Sequence, residues 1–405
     1  MAELVAEFPA VLVTGPRATG KTTLALQHAV SVARLDRPDM AAVFRADPDA
    51  ALRRYPGPLL IDEWQEVPEV LPAVKRAVDQ DGSPGRFILT GSVRAPLQHE
   101  TWAGTGRVVR LALTGLAERE VEPGFTPTRP GLLARLIADP LGQVRLPDAR
   151  PDLDGYIGRA FLSGFPELRY PERTELSRGR WLAGYLDDVV TRDARSVGAP
   201  KDPDKLRRYL EVLALSTAGI PTEATLVRSA GINQRTATGY DELLVNLSLL
   251  ELVPAWPVTG NRLNALVKAP KRYVVDPALA TAAARLTQQD VLRSADLIGR
   301  VLDTFVQAQL RVELGLLDPT PRLHHIRTAG GRQEVDLVVD LGGRGVIGIE
   351  VKAGSAPTSA DARHLRALRD DVGAGFVVGL VLHTGPEVFP LDDRVLAVPI
   401  CALWG

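Results

Sequence analysis

The strongest constraint on the fold lies near the start of the chain, where three local patterns follow one another. Residues 10–14 read Ala-Val-Leu-Val-Thr, a short apolar run rich in β-branched side chains that predicts a buried strand. A loop bounded by Gly15 and Gly20 comes next, and the apolar positions from Leu24 to Val30 then follow the spacing of a helix. A strand, a glycine-bounded loop and a helix in this order predict an α/β domain.

The loop between the two glycines has the composition of a phosphate-binding site. Gly15 and Gly20 let the backbone curl so that its amide groups point inward, and Lys21 supplies a cation for the β- and γ-phosphates. The Thr22 hydroxyl is a suitable Mg²⁺ ligand, and the amino end of the helix adds a positive field. The residues predicted to contact the nucleotide here are Gly15, Pro16, Arg17, Ala18, Thr19, Gly20, Lys21, Thr22 and Thr23.

Two carboxylates follow the next apolar run, Leu59-Leu60-Ile61, and complete the hydrolytic part of this prediction. Asp62 is predicted to hold Mg²⁺, directly or through water, and Glu63 to act as the base that polarises the attacking water. A strand that simply ends in a solvated acidic turn would have the same residues, so that alternative stays open.

A third strand is predicted at residues 86–90, and it ends in Thr90-Gly91-Ser92. If the three strands lie side by side in a parallel sheet, the Thr90 hydroxyl comes close to the nucleotide. There it could orient the attacking water or sense the γ-phosphate. Thr-Gly-Ser is also common turn chemistry, which is the alternative interpretation.

Together these segments resemble the AAA+ ATPases, and in particular a bacterial and archaeal branch of that family. The branch reads Gly-Pro-Arg-x-x-Gly-Lys-Thr-Thr-Leu, Asp-Glu-x-Gln and Leu-Thr-Gly-Ser, which residues 15–24, 62–65 and 89–92 match. The resemblance implies ATP as the nucleotide and a sensor role for Thr90 or Ser92. The sequence shows one phosphate-binding loop. The simplest expectation is therefore that each chain binds one nucleotide together with Mg²⁺.

A further stretch, Ala103-Gly104-Thr105-Gly106-Arg107, resembles the next characteristic segment of the same ATPase branch. The resemblance implies that Arg107 faces a phosphate. Two apolar residues, Val108 and Val109, follow it, so Arg107 could equally cap a strand.

The middle of the chain is predicted to contain a connector, a helical lid and a winged helix. Residues 121–153 are rich in Pro, Gly and Asp, and Gly164-Phe165-Pro166-Glu167 and the pair Arg192-Asp193 resemble the same ATPase branch. Residues 204–256 then read as short amphipathic helices with a turn at Gly231, followed by two short strands, which is the outline of a winged helix.

The partner of this predicted winged helix is open between DNA and protein. Polar residues at 233–238, at the start of its second long helix, suit phosphates and base edges, and the basic segment 268–272 lies where a wing is expected. Winged helices also dock proteins or serve as lids, and Arg228 and Arg235 are the only cations on the two helices.

The C-terminal part carries a second set of chemically suggestive residues. Glu350 and Lys352 are two apart in a predicted strand and therefore face the same side. Asp336 and Glu350 could share Mg²⁺, while Lys352 orients or activates water. This spacing resembles the PD-(D/E)XK nuclease core, which the ATPase branch carries at this place. A strand pair with charged ends is the alternative, and Asp303, where relatives have Glu, argues against cleavage.

The composition indicates the cellular compartment of the protein but does not identify its binding partner. A single cysteine, Cys401, excludes an internal disulfide and a thiolate metal cluster, which fits a reducing compartment. The first residues lack the pattern of a signal peptide, and no apolar run reaches the length needed to span a membrane. We therefore expect a cytoplasmic protein without a membrane partner. The formal net charge of -1 neither requires nor excludes a DNA partner.

The sequence as a whole predicts four parts. These are an AAA+ P-loop ATPase domain at 1–125, a connector and helical lid at 126–203, a winged-helix-like domain at 204–290, and a restriction-endonuclease-like α/β domain at 291–405. The predicted function is ATP hydrolysis coupled to a DNA-associated activity, with a metal-dependent nuclease domain that is degenerate or active. The alternative is an ATP-dependent switch that binds a DNA or protein partner without cleaving it. Either could act as a homo-oligomer, and the stoichiometry stays open.

Overall fold

The computed structural model describes residues 1–92, 106–140, 142–171, 173–194, 202–257, 269–328 and 333–405, and every statement below concerns these residues. The helices are α1 (Ala2–Glu7), α2 (Lys21–Leu26), α3 (Pro38–Ala46), α4 (Pro48–Arg53), α5 (Val70–Gln80), α6 (Glu118–Val121), α7 (Leu132–Ala138), α8 (Leu153–Leu162), α9 (Glu175–Asp188), α10 (Pro203–Leu215), α11 (Glu223–Ala230), α12 (Gln234–Asn246), α13 (Pro277–Ala283), α14 (Gln288–Leu292), α15 (Ala295–Leu314) and α16 (Arg363–Val372). The strands are β1 (Ala10–Thr14), β2 (Ser31–Arg34), β3 (Leu59–Asp62), β4 (Phe87–Gly91), β5 (Val109–Ala112), β6 (Leu250–Val253), β7 (Lys271–Val274), β8 (Arg322–Arg327), β9 (Glu334–Asp340), β10 (Val346–Val351), β11 (Phe376–His383), β12 (Phe389–Asp392) and β13 (Val395–Pro399).

The N-terminal sheet has five parallel strands in the order β2-β3-β4-β1-β5. Alternate residues of each strand enter two different cores, because successive side chains of a strand point to opposite faces. Leu12, Ile61 and Leu89 pack with α3, α4 and α5, while Val13 and Ile88 pack on the α2 side. Burial on both faces explains why these strands read as continuous apolar runs. The predicted parallel α/β sheet is confirmed.

The middle of the chain is helical and shares one hydrophobic core across the predicted boundary at residue 203. Side chains from the segment 165–194 pack with those of α10, α11, α12 and α13. A π-helical turn, Val189–Asp193, extends α9. The strands β6 and β7 form a two-stranded antiparallel sheet after α12, and Gly231 (φ +65°) makes the turn between α11 and α12.

The C-terminal sheet has six strands in the order β12-β13-β11-β10-β9-β8 and contains both parallel and antiparallel pairs. The long helix α15 covers one face together with α7 and α8, and α16 covers the other. The segment predicted as a connector therefore supplies two helices to the core of the C-terminal sheet. Its Pro and Gly content did not indicate this packing, which is made by buried side chains of both helices: Leu132, Leu133 and Leu136 of α7 and Tyr156, Ile157 and Ala160 of α8.

Buried charged side chains connect the N-terminal, middle and C-terminal parts of the chain. Glu313 of α15 accepts hydrogen bonds from the amides of Leu133 (2.5 Å) and Ala134 (3.2 Å) at the amino end of α7. Glu118, in the segment that follows the first sheet, pairs with Arg159 (2.5 Å) and Arg169 (2.9 Å) of the middle region. None of the helices within the described ranges is long and apolar enough to cross a membrane.

Candidate functional site

The loop after β1 has the backbone conformation that a phosphate cradle requires. Gly15 has φ +152°, and a Cβ added there would lie 2.0 Å from the carbonyl oxygen of Leu113, so only glycine fits. Gly20 (φ +90°) directly precedes α2. The Lys21 ammonium, from the first residue of α2, donates to the carbonyls of Gly15 (3.1 Å) and Pro16 (2.6 Å). The predicted lysine is thus held directly at the loop.

Asp62 joins the loop to the sheet. Its Oδ1 accepts a hydrogen bond from the Thr22 hydroxyl (2.8 Å) and another from the Thr90 hydroxyl. Asp62 and Thr90 are register partners at the carboxyl ends of β3 and β4, and Thr90 is also the partner of Val13 in β1. The side chains predicted from three separate segments therefore meet at one edge of the sheet. A cation placed between Thr22 and Asp62 would find a hydroxyl and a buried carboxylate oxygen, the donor types that Mg²⁺ prefers. The site fits Mg²⁺ with a nucleotide.

Glu63 has a constrained position next to Asp62. Its backbone is left-handed (φ +54°, ψ +49°), so the chain turns sharply just after β3. Its Oε2 accepts a hydrogen bond from the side-chain amide of Gln65, which anchors the carboxylate beside the loop. Gln65 is the last residue of the Asp-Glu-x-Gln pattern. The structure thus gives this glutamine a positioning contact that the sequence analysis did not assign.

The pKa of the Lys21 ammonium is lower than that of an ordinary lysine. Burial is the main cause that lowers its pKa to about 8, with Glu63 acting in the opposite direction and Arg17 adding to the decrease. Only 6% of the residue is exposed. The charge of this side chain is therefore sensitive to anything negative that enters the loop.

The loop faces α9 across a cleft of about 880 Å³. The side chains on the α9 side are aromatic or charged, and Trp181 and Tyr185 stack with their ring centroids 5.3 Å apart. The residues that line the cleft are Arg17, Ala18, Gly20, Lys21, Thr22, Thr23, Glu63, Pro166, Glu167, Tyr170, Arg180, Trp181, Gly184, Tyr185 and Asp188. The segment predicted as a lid therefore lies opposite the predicted phosphate loop.

One ion pair crosses directly from the loop to the lid. Arg17 Nε lies 3.3 Å from Asp193 Oδ2, and Asp193 is buried in the π-helical turn after α9. Burial raises the pKa of Asp193, while Arg17 acts to lower it. The Arg192-Asp193 pair that resembled the ATPase branch thus includes a residue in contact with the loop.

Arg107 lies just before β5, in keeping with the strand-end alternative and not with the phosphate-facing role that the resemblance implied. Its guanidinium pairs with Asp79 at 2.8 Å, near the end of α5, and 45% of the side chain is exposed. Arg107 precedes β5, whose Val109 is the register partner of Val11, so Arg107 lies at the amino edge of a parallel sheet. The phosphate loop follows the opposite edge. Arg107 therefore does not face the phosphate site of its own chain, and residues 103–105 of the same stretch lie outside the described residues.

The C-terminal carboxylates also come together. Asp303 of α15, Asp336 of β9 and Glu350 and Lys352 at the end of β10 all line a cleft of about 710 Å³. Lys352 Nζ lies 3.1 Å from Glu350 Oε2, which confirms that the two side chains share a face. Burial raises the pKa of Glu350 to about 8, and the charge of Asp336 adds to the increase. Glu350 Oε1 is buried and has no hydrogen-bond partner among the described residues.

A lysine that the sequence analysis assigned elsewhere lies in the middle of this acidic group. Lys271 Nζ lies 2.5 Å from Asp303 Oδ2 and 3.2 Å from Asp336 Oδ1. Lys271 and Arg272 belong to β7 and are 5% and 7% exposed, and Arg272 pairs with Asp241 at 2.9 Å. The interpretation of residues 268–272 as a basic wing is therefore wrong for Lys271 and Arg272. Both side chains are buried and form ion pairs within the protein. Lys268 lies outside the described residues.

Asp336 and Glu350, which we expected to share Mg²⁺, both line this cleft. The described part of the chain contains no group of three or more His, Cys, Asp or Glu side chains arranged to hold a metal ion. The Lys271 ammonium lies between Asp303 and Asp336. No local pattern could have revealed this, because Lys271 is far from both partners in sequence and reads as an ordinary basic residue.

A parallel strand, a glycine-bounded loop and a helix that begins with a lysine form the arrangement of a phosphate-binding P-loop. The comparison with protein families agrees with this, since the family described as "AAA domain" matches residues 7–122. The N-terminal part of this chain is thus similar to that family over residues 7–122. Two further families, both described as domains of unknown function (DUF8612 and DUF4143), match residues 154–290 and 298–403.

Relatives of similar architecture carry no described activity. "Uncharacterized protein Rv2008c" of Mycobacterium tuberculosis and "Uncharacterized protein Mb2031c" of Mycobacterium bovis are each 29% identical over 398 residues, which cover 96% of this chain and 80% of each relative. Among solved structures, a Walker-type ATPase of Pyrococcus abyssi is 14% identical with a TM-score of 0.39, covering 70% of this chain and 93% of that chain. That score is too low to support any inference about the fold.

Proposed function

We propose that this chain binds ATP with Mg²⁺ and hydrolyses it in the cleft between the phosphate loop and α9. The observation that carries the proposal is the pair of hydrogen bonds that Asp62 accepts from Thr22 and Thr90. These bonds fix a buried carboxylate beside the hydroxyl that ligates Mg²⁺ in P-loop proteins. When bound, Mg²⁺ would be held by Thr22 and Asp62 and would neutralise charge on the phosphates.

Each remaining residue has a role that follows from its place. Lys21 stabilises the β- and γ-phosphates, because its ammonium already lies at the loop carbonyls. Glu63 accepts a proton from the attacking water, and Gln65 holds the Glu63 carboxylate in position. The backbone amides of residues 15–20 cradle the phosphates, and Thr90 keeps Asp62 oriented toward the cation.

The direct test measures ATP turnover and ATP binding separately. Glu63→Gln should bind ATP with Mg²⁺ like the wild type and lose about 100-fold or more in turnover, since a general base contributes on the order of 10²–10⁴. Lys21→Ala should lose both binding and turnover. Glu66→Gln is the matched control, because Glu66 is an exposed carboxylate three residues further on and should leave turnover unchanged. Wild-type turnover in Glu63→Gln, or unchanged ATP binding in Lys21→Ala, would overturn the assignment.

The activity to which hydrolysis is coupled is proposed to involve DNA bound at α11 and α12. Asn233 caps α12 through the amide of Thr236 (2.8 Å), and Gln234 donates to Glu223 (2.6 Å), so these two polar side chains already have internal partners. Arg235 is exposed, and so is Thr238, whose hydroxyl donates to the carbonyl of Gln234 at 3.2 Å. DNA should therefore stimulate ATP turnover in the wild type and do so less in Arg235→Ala. Equal turnover with and without DNA at low salt would reject a DNA partner.

The second candidate is a nucleotide-dependent switch that binds a protein or DNA partner without cleaving it. The ion pair between Arg17 and Asp193 favours it, because phosphate binding at Arg17 would be transmitted directly to the helical region. Incubating plasmid with the protein and Mg²⁺ or Mn²⁺, with and without ATP, distinguishes it from a nuclease. Nicking that disappears in Asp336→Ala and Lys352→Ala would support a nuclease, and no nicking supports the switch. Gel filtration with and without ATP tests whether the active form is a homo-oligomer.

A further inference from the structure

The acidic cleft of the C-terminal domain contains an internal cation that comes from another part of the chain. Lys271 is the first residue of β7, which lies within residues 154–290, whereas Asp303 and Asp336 lie in α15 and β9. The lysine is 5% exposed, so its ammonium is removed from water and depends on these carboxylates for compensation. This arrangement links the helical region to the C-terminal sheet by charge.

Each oxygen of the two aspartates contacts a group of the protein. Asp303 Oδ2 contacts Lys271 at 2.5 Å and Asp303 Oδ1 accepts from the Tyr273 hydroxyl at 2.9 Å. Asp336 Oδ1 contacts Lys271 at 3.2 Å and Asp336 Oδ2 accepts from the amide of Val351 at 3.0 Å. Lys271 also donates to the carbonyl of Asp336 at 3.3 Å. A metal ion at these oxygens would compete with the Lys271 ammonium, the Tyr273 hydroxyl and the amide of Val351.

The strand β7 fixes the lysine from both of its faces. Successive side chains of a strand point in opposite directions, so Lys271 and Tyr273 face α15 while Arg272 faces α12. Arg272 is held there by Asp241 through two contacts of 2.9 and 3.3 Å. Because Arg272 is anchored on the opposite side, the backbone of β7 is held in place and keeps Lys271 beside the acidic group.

We propose that Lys271 occupies the place of a divalent cation between Asp303 and Asp336, so that these two carboxylates are held by the protein and take up no metal. The Lys271 ammonium offsets one of the two negative charges of Asp303 and Asp336, and Lys352 lies 3.1 Å from Glu350 in the same cleft. A dication close to Lys271 would meet an adjacent positive charge in a poorly solvated place. The cleft then serves to join two domains, and phosphodiester cleavage is not its function.

The test is Mn²⁺ binding to the nucleotide-free, full-length protein, followed by electron paramagnetic resonance. Wild type and Lys271→Arg, which keeps the charge, should show no Mn²⁺ binding that depends on Asp336. Lys271→Met, which keeps the length but removes the charge, should gain a site at least about 100-fold tighter, and Asp336→Asn in that background should remove it. The plasmid assay should show no metal-dependent nicking by the wild type.

Two results would overturn the proposal. One is wild-type Mn²⁺ binding as tight as that of Lys271→Met and abolished by Asp336→Asn. The other is a folded Lys271→Met protein that gains no Mn²⁺ site, because Lys271 would then not be what excludes the metal. If Lys271→Met does not fold, the double variant Lys271→Met/Asp303→Asn replaces it, since this pair removes one positive and one negative charge together. Even if neither variant folds, tight Mn²⁺ binding by the wild type that Asp336→Asn abolishes would overturn the proposal.

Discussion

Arg17 of the phosphate loop and Asp193 of the helical region form an ion pair with 3.3 Å between Nε and Oδ2. The arginine side chain is 32% exposed and the aspartate side chain 6% exposed, so the pair lies at the margin of the cleft with its negative partner inside. Asp193 therefore both holds the guanidinium and places a negative charge close to the predicted phosphates. The two members of one ion pair should then have opposite effects on ATP binding.

We expect Asp193→Asn to bind ATP more tightly and Arg17→Ala to bind it more weakly. A partly exposed ion pair contributes on the order of 1 kcal/mol, which corresponds to about a fivefold change in Kd in each direction. The measurement is the Kd of ATP with Mg²⁺ by calorimetry. Asp188→Asn is the matched control, since Asp188 lines the same cleft and the substitution removes the same charge. A change in Asp188→Asn equal to that in Asp193→Asn would show that general charge, and not the ion pair, is responsible.

A second prediction concerns the hydrogen bond from Thr90 to Asp62. Thr90→Val keeps the shape of the side chain but removes the donor, so Asp62 loses one of the two bonds that orient it. A hydrogen bond to a charged group contributes roughly 1.5–3 kcal/mol, so kcat should fall by about tenfold or more. The KM for ATP should change much less, because the phosphate loop itself is intact.

The conservative variant separates this role from a packing role. Thr90→Ser keeps the hydroxyl and should retain most of the wild-type kcat, and it should need no more Mg²⁺ than the wild type for half-maximal rate. Thr90→Val should need more. If Thr90→Ser is as slow as Thr90→Val, the methyl group and not the hydrogen bond is what matters at this position.

A third prediction follows from the pKa of Lys21, which burial lowers to about 8. The ammonium form binds phosphate, so ATP affinity should be constant below pH 7 and should fall as the pH rises through about 8. Once the free lysine is neutral, each further pH unit should cost up to about tenfold in Kd. ATP binding measured between pH 6.5 and 9.5 checks this. Lys21→Arg should bind more weakly overall but without this pH dependence, since arginine stays charged.

The sequence predicted best those features of the fold that depend on residues close together in the chain. The strand before Gly15, the strand before Asp62 and the strand before Thr90 were predicted nearly to the residue, because buried parallel strands read as uninterrupted apolar runs. That they meet at one edge followed from the topology of a parallel sheet. Both features need only local sequence.

Contacts between distant segments were not predictable in the same way. Lys271 was interpreted as part of an exposed basic loop, and its pairing with Asp303 and Asp336 depends on three elements packing together. Arg107 was placed at the phosphate site by resemblance, whereas the direction of β5 puts it at the other edge of the sheet. The helix α7 was taken as part of a connector, because the buried carboxylate that caps it comes from α15.

The last prediction concerns the Glu313 carboxylate that caps α7. Glu313 is 2% exposed, and its carboxylate accepts the amides of Leu133 and Ala134, two of the donors that a helix leaves unpaired at its amino end. Burial raises the pKa of Glu313 and these backbone hydrogen bonds lower it, so the contacts offset part of the cost of burying the charge. Glu313→Leu removes the acceptor and leaves the amides without a partner. We expect this to lower the free energy of unfolding by about 2 kcal/mol.

The measurement is chemical unfolding of the full-length protein, with Glu313→Gln as the control. The amide side chain of that control keeps a carbonyl oxygen at the same length, so it should lose clearly less stability than Glu313→Leu. ATP binding should be the same in both variants, because Glu313 lies in the contact between α7 and α15 and not in the nucleotide cleft. If Glu313→Leu unfolds at the wild-type denaturant concentration, the carboxylate does not hold α7 on the C-terminal domain, and the apolar contacts of Leu132, Leu133 and Leu136 are sufficient.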